Sequence, residues 1–324
     1  MPLNYQIFDV FVSTPFAGNP LAVVDMRVEA FAGERFPSDD ALLRIAREFN
    51  LSDTIFLCHP ENDVHSTRLR ILTPDRELPF AGHPTVGAAV ALSRASLAEG
   101  LSDGLVLLET AIGAIRAAVS FEPDDPDRNR GFGEFDLLHL PRRYTWSATK
   151  AEIALALGLD PGQVGFENHL PTVFDGALPY HLVPVRDQAA LASVKPKAAA
   201  IDKLLGMSDR PPGVFEQARD SLYVYTRDAV AADADFSARK LWPENGVVEE
   251  DPATGSAVAS LAGAIHLFDA PMAGLHRLSI EQGVTIGRPS RLTLEVQVGE
   301  DGGLQRVRLG GEAILIGEGT LLWP

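Results

Sequence analysis

The sequence predicts an α+β fold made of two similar halves. Strand-like runs recur along the whole chain, whereas helical spacing of apolar residues is confined to a few segments. Residues 67–92 and 236–261 also share one order of features: a strand-like run, a polar turn, a proline, small residues and an alanine-rich apolar run. A repeat of this kind indicates that each half folds as one unit, with one helix in its core.

The repeat continues on both sides of these segments. The flanking strand-like runs correspond as well, 53–58 with 220–226 and 105–119 with 277–296. Asp53 and Asp220 open the two upstream runs and are taken as corresponding residues. Each copy therefore predicts strand, strand, turn, helix, strand, strand. The alternative is that the two segments share small residues by accident, and the matching order of elements argues against it.

Two helices are predicted outside the repeat. Residues 38–51 have helical spacing after Ser38, a good N-cap. A second helix begins after Thr149, with Glu152 three residues later as in a capping box, and Gly158 ends it. Further strands are expected at 5–13, 21–26, 181–185, 221–226, 291–298, 305–311 and 313–319.

The segment "FEPDDPDRNRGFGEFD" (121–136) is rich in Asp, Arg, Gly and Pro, which is typical of a loop or linker. It predicts a division into a first lobe over 1–120 and a second over 121–307. The last strand, about 308–324, is a segment that can return to the first lobe.

Composition narrows the function classes. The net charge of −16 argues against nucleic acid and anionic membranes as partners, because both usually require a basic face. No run of about 18 apolar residues predicts a transmembrane helix, and the N-terminal residues lack the pattern of a signal peptide. A single cysteine, Cys58, fits a cytoplasmic location and excludes a mechanism based on two opposed thiols within one chain. Its place in a strand-like run favours a core position over a nucleophile.

The stretch "DPATGSA" (251–257) is typical of a helix start, with Asp251 as cap and Pro252 in the first turn. The backbone N–H groups of Gly255 and Ser256 would then be available to a carboxylate or phosphate. A well-capped core helix with no ligand is the alternative interpretation.

The first copy offers a similar start in "FAGHPTVGA", where Gly82 and His83 precede Pro84. Two positive helix ends in two related halves favour a ligand site in a cleft between them. Such a site would hold an anionic substrate and stabilise an enolate-like transition state.

These motifs identify a family. The sequence resembles the PhzF-like isomerases, named after an enzyme of phenazine biosynthesis, within a group that has the diaminopimelate epimerase fold and also contains proline racemases. The resemblance covers the chain from end to end, through segments 8–24, 50–57, 70–89, 236–257 and 282–292.

The resemblance implies two pseudo-symmetric lobes, each a curled sheet or barrel around a central helix, with the site between them. It also implies a cofactor-free enzyme, commonly a homodimer, that moves a proton within a small unsaturated amino acid. The matched site positions are polar groups at His83 and Asp251, backbone donors at Gly82, Gly255 and Ser256, and Asn19 of "AGNP".

The chain departs from the family at the general acid/base. Glutamate is usual there, and this sequence has Asp53, one methylene and on the order of 1.5 Å shorter. Asp53 is expected to take a proton from carbon if burial by Ile55, Phe56 and Phe80 raises its pKa. His83 and Asp251 would then orient the substrate or return the proton.

Other sites are less consistent with the sequence. Glycines 131 and 133 lack the third glycine of a dinucleotide fingerprint, and Ser256 does not lie in G-x-S-x-G. His59 and His65 fit a solvated loop better than a metal site. Glu249 and Glu250 could indicate a cation site, but acids at the start of a helix explain them more simply.

Two function classes remain. The first is a cofactor-independent isomerase or epimerase that acts on a small carboxylate-bearing metabolite, with Asp53, His83 and Asp251 as catalytic groups. The second is a non-catalytic protein on the same scaffold that binds a small metabolite, with the change to Asp53 marking lost catalysis.

Overall fold

The structure is a computed structural model that describes residues 2–28, 31, 36–98, 104–209 and 220–322. The chain forms two compact units. Unit 1 comprises residues 1–136 and 310–324, and unit 2 comprises residues 137–309.

These boundaries differ from the predicted ones because part of the presumed linker is a strand. Residues 130–136 pair with the preceding strand, and their side chains alternate between buried and partly buried. A Cβ on Gly131 would lie 2.9 Å from Val90, and one on Gly133 would lie 3.2 Å from Val86. The glycines that suggested a linker therefore let a helix pack closely on this strand.

Unit 1 contains two helices and nine strands among its described residues. The helices are α1 (Asp39–Phe49) and α2 (Gly82–Ala98). The strands are β1 (Pro2–Val10), β2 (Asn19–Asp25), β3 (Asp53–Cys58), β4 (Thr67–Leu72), β5 (Glu77–Leu78), β6 (Leu105–Thr110), β7 (Gly113–Phe121), β8 (Arg130–Asp136) and, from residue 310 onward, β17 (Leu304–Leu322).

The described strands of unit 1 close into an eight-stranded barrel. The pairing runs β1–β2–β3–β4–β6–β7–β8, and β17 pairs with both β8 and β1. Helix α2 lies inside and contacts β1, β2, β3, β6, β7 and β8. Its residues 82–93 are all buried, as expected for a helix that is small and apolar on every face.

Unit 2 is built in the same way. Its helices are α3 (Lys150–Leu157), α4 (Gln188–Ser193), α5 (Ala198–Leu205) and α6 (Gly255–Asp269). Its strands are β9 (Arg142–Tyr144), β10 (Thr172–Asp175), β11 (Pro179–Pro184), β12 (Leu222–Thr226), β13 (Phe236–Glu244), β14 (Val247–Asp251), β15 (Gly274–Gln282), β16 (Ser290–Val298) and the first part of β17. Pairing runs β9–β10–β11–β12–β13–β15–β16, with β14 on β13. Helix α6 contacts β9, β10, β11 and β16 and is buried over residues 255–265.

The predicted repeat is confirmed by the strand pairing. In both units one neighbouring pair is parallel, β2 with β3 and β11 with β12. The strand after the central helix is also parallel to the strand two before it, β6 with β4 and β15 with β13. The first residue of β4, Thr67, pairs with Leu108, and the first residue of β13, Phe236, pairs with Ile280. The predicted α+β fold class, with a barrel or curled sheet around one helix in each half, is therefore confirmed.

Matching registers also identify counterparts between the units. The pairs that fix the alignment are Thr54–Leu72 in unit 1 and Leu222–Leu241 in unit 2. The counterpart of Asp53 is therefore Ser221. The predicted correspondence of Asp53 with Asp220 is wrong by one residue. The strand registers align Thr54 with Leu222, so the residue before Leu222 corresponds to Asp53. The prediction had aligned the two acids instead of the strands.

The two helices predicted outside the repeat are confirmed. Ser38 caps α1 and accepts a hydrogen bond from the Ala41 N–H at 3.4 Å. Thr149 and Glu152 form the predicted capping box of α3, and Gly158 ends it with a left-handed φ of 69°. Within the described residues, no helix is long and apolar enough to cross a membrane.

Candidate active site

Asp53 and His83 lie together in unit 1. Asp53 is the first residue of β3, His83 is the second residue of α2, and each is 5% exposed. The His83 Nε2 is 3.5 Å from the Asp53 Oδ2. This distance is longer than a good hydrogen bond. The pair is a carboxylate and an imidazole held at the start of a buried helix.

The three apolar residues expected to bury Asp53 are all buried. Ile55 and Phe56 on β3 are fully buried, and Phe80 is 1% exposed just before α2. The Phe80 ring meets the edge of Phe135 with the ring centroids 5.9 Å apart. Phe56 packs with Cys58 in the core cluster that includes Leu42 of α1. Because side chains alternate along a strand, Phe56 lies on the face of β3 opposite to Asp53, and the expectation that it buries Asp53 is wrong.

Asn19 and Gly82 occupy the edges of the same region. Asn19 opens β2 and is fully buried, and the pairing of β2 with β3 places Leu21 opposite Asp53. Gly82 opens α2, so its N–H precedes the first intrahelical bonds. The N–H and the hydroxyl of Thr85 both donate to the Ala81 carbonyl and tighten this first turn.

The predicted role of Asp251 as helix cap is wrong. Asp251 is the last residue of β14 and pairs with Lys240 of β13, which keeps its backbone extended. Helix α6 begins later, at Gly255, and Thr254 occupies the cap position. The Thr254 hydroxyl donates to the Asp251 Oδ2. Pro252 lies in the turn between strand and helix rather than in the first helical turn.

The helix-start interpretation of the neighbouring acids is wrong for the same reason. Glu249 and Glu250 belong to β14. Glu250 makes a buried ion pair with Arg239, with the Nη2 and Oε2 atoms 2.6 Å apart, and it also accepts a hydrogen bond from Thr285 at 2.7 Å. Its role is to tie β13 and β14 together.

Gly255 and Ser256 lie where the prediction required, in the first turn of α6. The N–H groups of Ala257 and Val258 both donate to the Thr254 carbonyl, whereas those of Gly255 and Ser256 precede these bonds. These two N–H groups are therefore placed to bind an anion. The Ser256 hydroxyl is 2.8 Å from the Tyr180 hydroxyl.

Sequence reasoning missed three polar residues that shape this start. Tyr180 on β11 meets Ser256, and Gln282 at the end of β15 bonds to Asp251 and Thr254. Tyr223 on β12 is fully buried, and burial, together with nearby Tyr180 and Asp251, raises the pKa of its phenol well above the usual value. Tyr223 is therefore a neutral hydroxyl near Asp251. The only sequence signal for these residues was the family segment 282–292, which begins at Gln282.

The alternatives set aside on the sequence gain no support. Among the described residues, no group of three or more His, Cys, Asp and Glu side chains could hold a metal ion. His65 lies 2.8 Å from Glu109 in a two-residue ion pair. Cys58 is 1% exposed and packs in a core cluster, and burial raises the pKa of its thiol to about 11. The predicted core position of Cys58 is therefore confirmed.

Known proteins resemble the chain over its length. Residues 8–319 match a family model described as phenazine biosynthesis-like protein. An uncharacterized isomerase of Mesorhizobium japonicum is 43% identical over 320 residues, which cover 98% of each chain. A trans-2,3-dihydro-3-hydroxyanthranilate isomerase of Pseudomonas aeruginosa is 33% identical over 325 residues, again 98% of each chain. Among solved structures, a PhzF-family phenazine biosynthesis protein of Bacillus anthracis covers 100% of both chains with a TM-score of 0.80 at 20% identity.

Proposed function

The chain belongs to the phenazine biosynthesis-like family and is an isomerase, and from this premise we propose that it moves a proton within a small carboxylate-bearing metabolite. In this proposal Asp53 is the general acid/base, and no cofactor takes part. The observation that carries it is the Asp53–His83 pair, buried and 3.5 Å apart at the start of α2.

The proton step follows from the two side chains. The Asp53 carboxylate takes a proton from a carbon next to an unsaturated or carbonyl group and returns it at another carbon. The His83 imidazole stabilises Asp53 when the Asp53 carboxyl group is ionised, and it can relay the proton. Asp53 is 5% exposed, and Ile55 on the same face of β3 is fully buried; burial limits hydration of the carboxylate, which favours its use as a base.

The other predicted residues have binding roles in this proposal. The N–H groups of Gly82, Gly255 and Ser256 hold a carboxylate and the negative charge that develops as the proton leaves. Asp251 orients a substrate group that donates a hydrogen bond, such as an amine or a hydroxyl. Asn19 lies two residues before Leu21, the residue opposite Asp53, and would contact one edge of the substrate.

The first probe is trans-2,3-dihydro-3-hydroxyanthranilate, which the Pseudomonas relatives isomerise according to their name. Incubation in D2O, followed by NMR and mass spectrometry, should show a product with solvent deuterium at carbon. Asp53→Asn should give no deuterium incorporation, while Asp63→Asn, a change of an exposed aspartate in the same unit, should behave like wild type. Exchange that persists in Asp53→Asn would remove Asp53 from the mechanism.

The second function class, a protein that binds such a metabolite without turnover, is not favoured, because the chain is an isomerase. Homodimer formation, which the family resemblance predicts, is tested separately by light scattering of the purified chain.

A further inference from the structure

We propose that Gln282 is a positioning residue that fixes the direction of the hydrogen bond between Thr254 and Asp251. Gln282 is the last residue of β15 and is fully buried. Its Nε2 lies 2.8 Å from the Asp251 carbonyl oxygen and 3.0 Å from the Thr254 Oγ1. Its Oε1 lies 3.2 Å from the Thr254 backbone nitrogen. One side chain therefore holds both ends of the loop that leads into α6.

The backbone settles which way the Gln282 amide faces. The Asp251 carbonyl can only accept a hydrogen bond, and the Thr254 N–H can only donate one. Exchange of the amide oxygen and nitrogen would place acceptor against acceptor and donor against donor. The nitrogen must therefore face the Asp251 carbonyl, which also directs it to the Thr254 hydroxyl.

This orientation fixes the hydroxyl proton. The amide nitrogen only donates, so the Thr254 oxygen accepts from it and its own proton is left for the Asp251 Oδ2. Asp251 therefore meets Thr254 as an acceptor, and its carboxylate keeps one orientation. Because the proposed function gives Asp251 the task of orienting the substrate, this inference rests on that function and adds Gln282 to it.

The residue that follows Gln282 strengthens the arrangement. Gly283 has a left-handed φ of 75°, and a Cβ there would lie 2.6 Å from the Pro252 carbonyl oxygen and 2.3 Å from that of Arg288. Both neighbours are backbone atoms, so no side chain fits. Gln282 therefore hydrogen-bonds to Asp251 and Thr254, and Gly283 lies against Pro252 between them.

The test compares two variants that each disrupt the hydrogen bond between Thr254 and Asp251, one by a change at Gln282 and the other by a change at Thr254. Gln282→Glu keeps the shape but replaces the donor with an acceptor, so the Thr254 hydroxyl is drawn away from Asp251. Thr254→Val keeps the shape and the backbone N–H but removes the hydroxyl. Each should lower kcat about tenfold, less than removal of the Asp251 carboxylate itself, with a smaller change in KM. Gln297→Glu, the same substitution on β16 of unit 2, is the control and should match wild type.

A rescue variant and a double variant distinguish a loss of positioning from a loss of folding. Thr254→Ser keeps the hydroxyl and should restore kcat to within about threefold of wild type, since the bond to Asp251 is retained. The double variant Gln282→Glu/Thr254→Val should be no slower than either single variant, because both remove one interaction. Unchanged kcat and KM in Gln282→Glu and Thr254→Val, or a loss explained wholly by the unfolded fraction, would overturn the proposal. If Gln282→Glu does not fold, the comparison of Thr254→Val with Thr254→Ser alone tests the proposal.

A readout without turnover distinguishes this inference from the proposed function. In Gln282→Ala the Thr254 amide should exchange with D2O about tenfold faster than in wild type, because its acceptor is gone. The Leu261 amide inside α6 should be unaffected. A wild-type protein that is inactive on every probe would contradict the proposed function, whereas equal Thr254 exchange in the two proteins would contradict the role of Gln282.

Discussion

The starts of the two central helices have the same topology and opposite chemistry. In unit 1, Asp53 pairs with Leu21, and a Cβ on Gly87 would lie 2.3 Å from the Leu21 side chain. In unit 2, the register of β11 and β12 gives Leu21 the counterpart Tyr180, whose hydroxyl lies 2.8 Å from Ser256. At this counterpart position the central helix therefore meets an aliphatic side chain in unit 1 and a hydroxyl in unit 2.

The difference extends to the strand that follows each helix. The counterpart of Gln282 is Thr110 at the end of β6, and its hydroxyl donates to the Gly113 carbonyl within a hairpin turn at 2.7 Å. Thr110 thus serves its own turn, whereas Gln282 serves the loop before α6. In the proposed function the two units share one backbone arrangement and have different tasks. A carboxylate base benefits from a buried position, and a charged intermediate benefits from oriented donors.

The largest expected effect is the difference between the two acids to which the proposed function gives roles, Asp53 in unit 1 and Asp251 in unit 2. Asp53→Asn should lower kcat about 1,000-fold, because it removes the base. Asp251→Asn should lower kcat/KM only about 30-fold, the value of a hydrogen bond to a charged group. Steady-state kinetics of both variants, with circular dichroism to check folding, makes the comparison. Equal losses would indicate that both carboxylates transfer protons and would break the assignment of one task to each unit.

Much of the fold could be predicted because its signals are local or repeated. The caps at Ser38 and Thr149 lie within three residues of the N–H groups that they bind. The repeat needed no structure, because its prolines and glycines recur in the same order at 67–92 and 236–261. Asp53 and His83 were predicted as site residues from the family resemblance of the two motifs that contain them.

The rest of the site depends on contacts between residues far apart in the sequence, which no local pattern indicates. An acid, a proline and small residues begin a helix or end a strand equally well, and the pairing of Asp251 with Lys240 decides for the strand. Tyr180 lies 76 residues from Ser256, and Gln282 lies 28 residues from Thr254. No local spacing links such partners, so the hydroxyls and the amide around α6 appeared only in three dimensions.

A moderate effect is expected from the hydroxyls of unit 2. Ser256→Ala should raise KM about tenfold, because the helix start loses a hydroxyl beside the backbone N–H groups to which the proposed function assigns the substrate carboxylate. Tyr180→Phe should raise KM less, since Ser256 remains and only its orientation is released. Ser93→Ala is the matched control in α2: Ser93 is fully buried, and its hydroxyl has no partner among the described residues. A KM change in Ser93→Ala equal to that of Ser256→Ala would show that the hydroxyl-lined start has no special role.

A smaller effect concerns stability at the far end of α6. Asp269, the last residue of the helix, lies 2.9 Å from the buried His169 and 2.7 Å from Arg227. Burial alone would raise the pKa of Asp269, but the hydrogen bonds from His169 and Arg227 bring it below its usual value. The stabilisation is therefore present above the unfolded pKa of about 3.9 and is lost as pH falls through the lower folded pKa.

Asp269→Asn should accordingly lower the melting temperature at pH 7 by about 3 °C, with kcat at 25 °C unchanged. The deficit should shrink in acid as wild type loses the same interaction. Calorimetry at pH 7 and in acid measures it. A deficit that is independent of pH would mean that shape, and not the ionised carboxylate, holds this end of α6.

The smallest effect separates two aspartates at the ends of β1 and β10. Asp9 accepts the Phe16 N–H at 2.6 Å, and the matched registers make Asp175 its counterpart in unit 2. Burial raises the pKa of Asp175, against the opposing charges of His139 and Arg142. Its folded pKa therefore lies above the unfolded one, so its contribution to stability is present below the unfolded pKa of about 3.9 and is lost as pH rises through the higher folded pKa.

Asp175→Asn should consequently raise the melting temperature at pH 7 by about 1 °C, and the gain should vanish below the unfolded pKa, where Asp175 is protonated in both states. Asp9→Asn should lower the melting temperature, because the amide is a weaker acceptor for the Phe16 N–H. Thermal melts of both variants at pH 7 and pH 3 decide the matter. Opposite signs at one structural position would extend the division between the units from their helix starts to their first strands, and equal signs would confine it to the site.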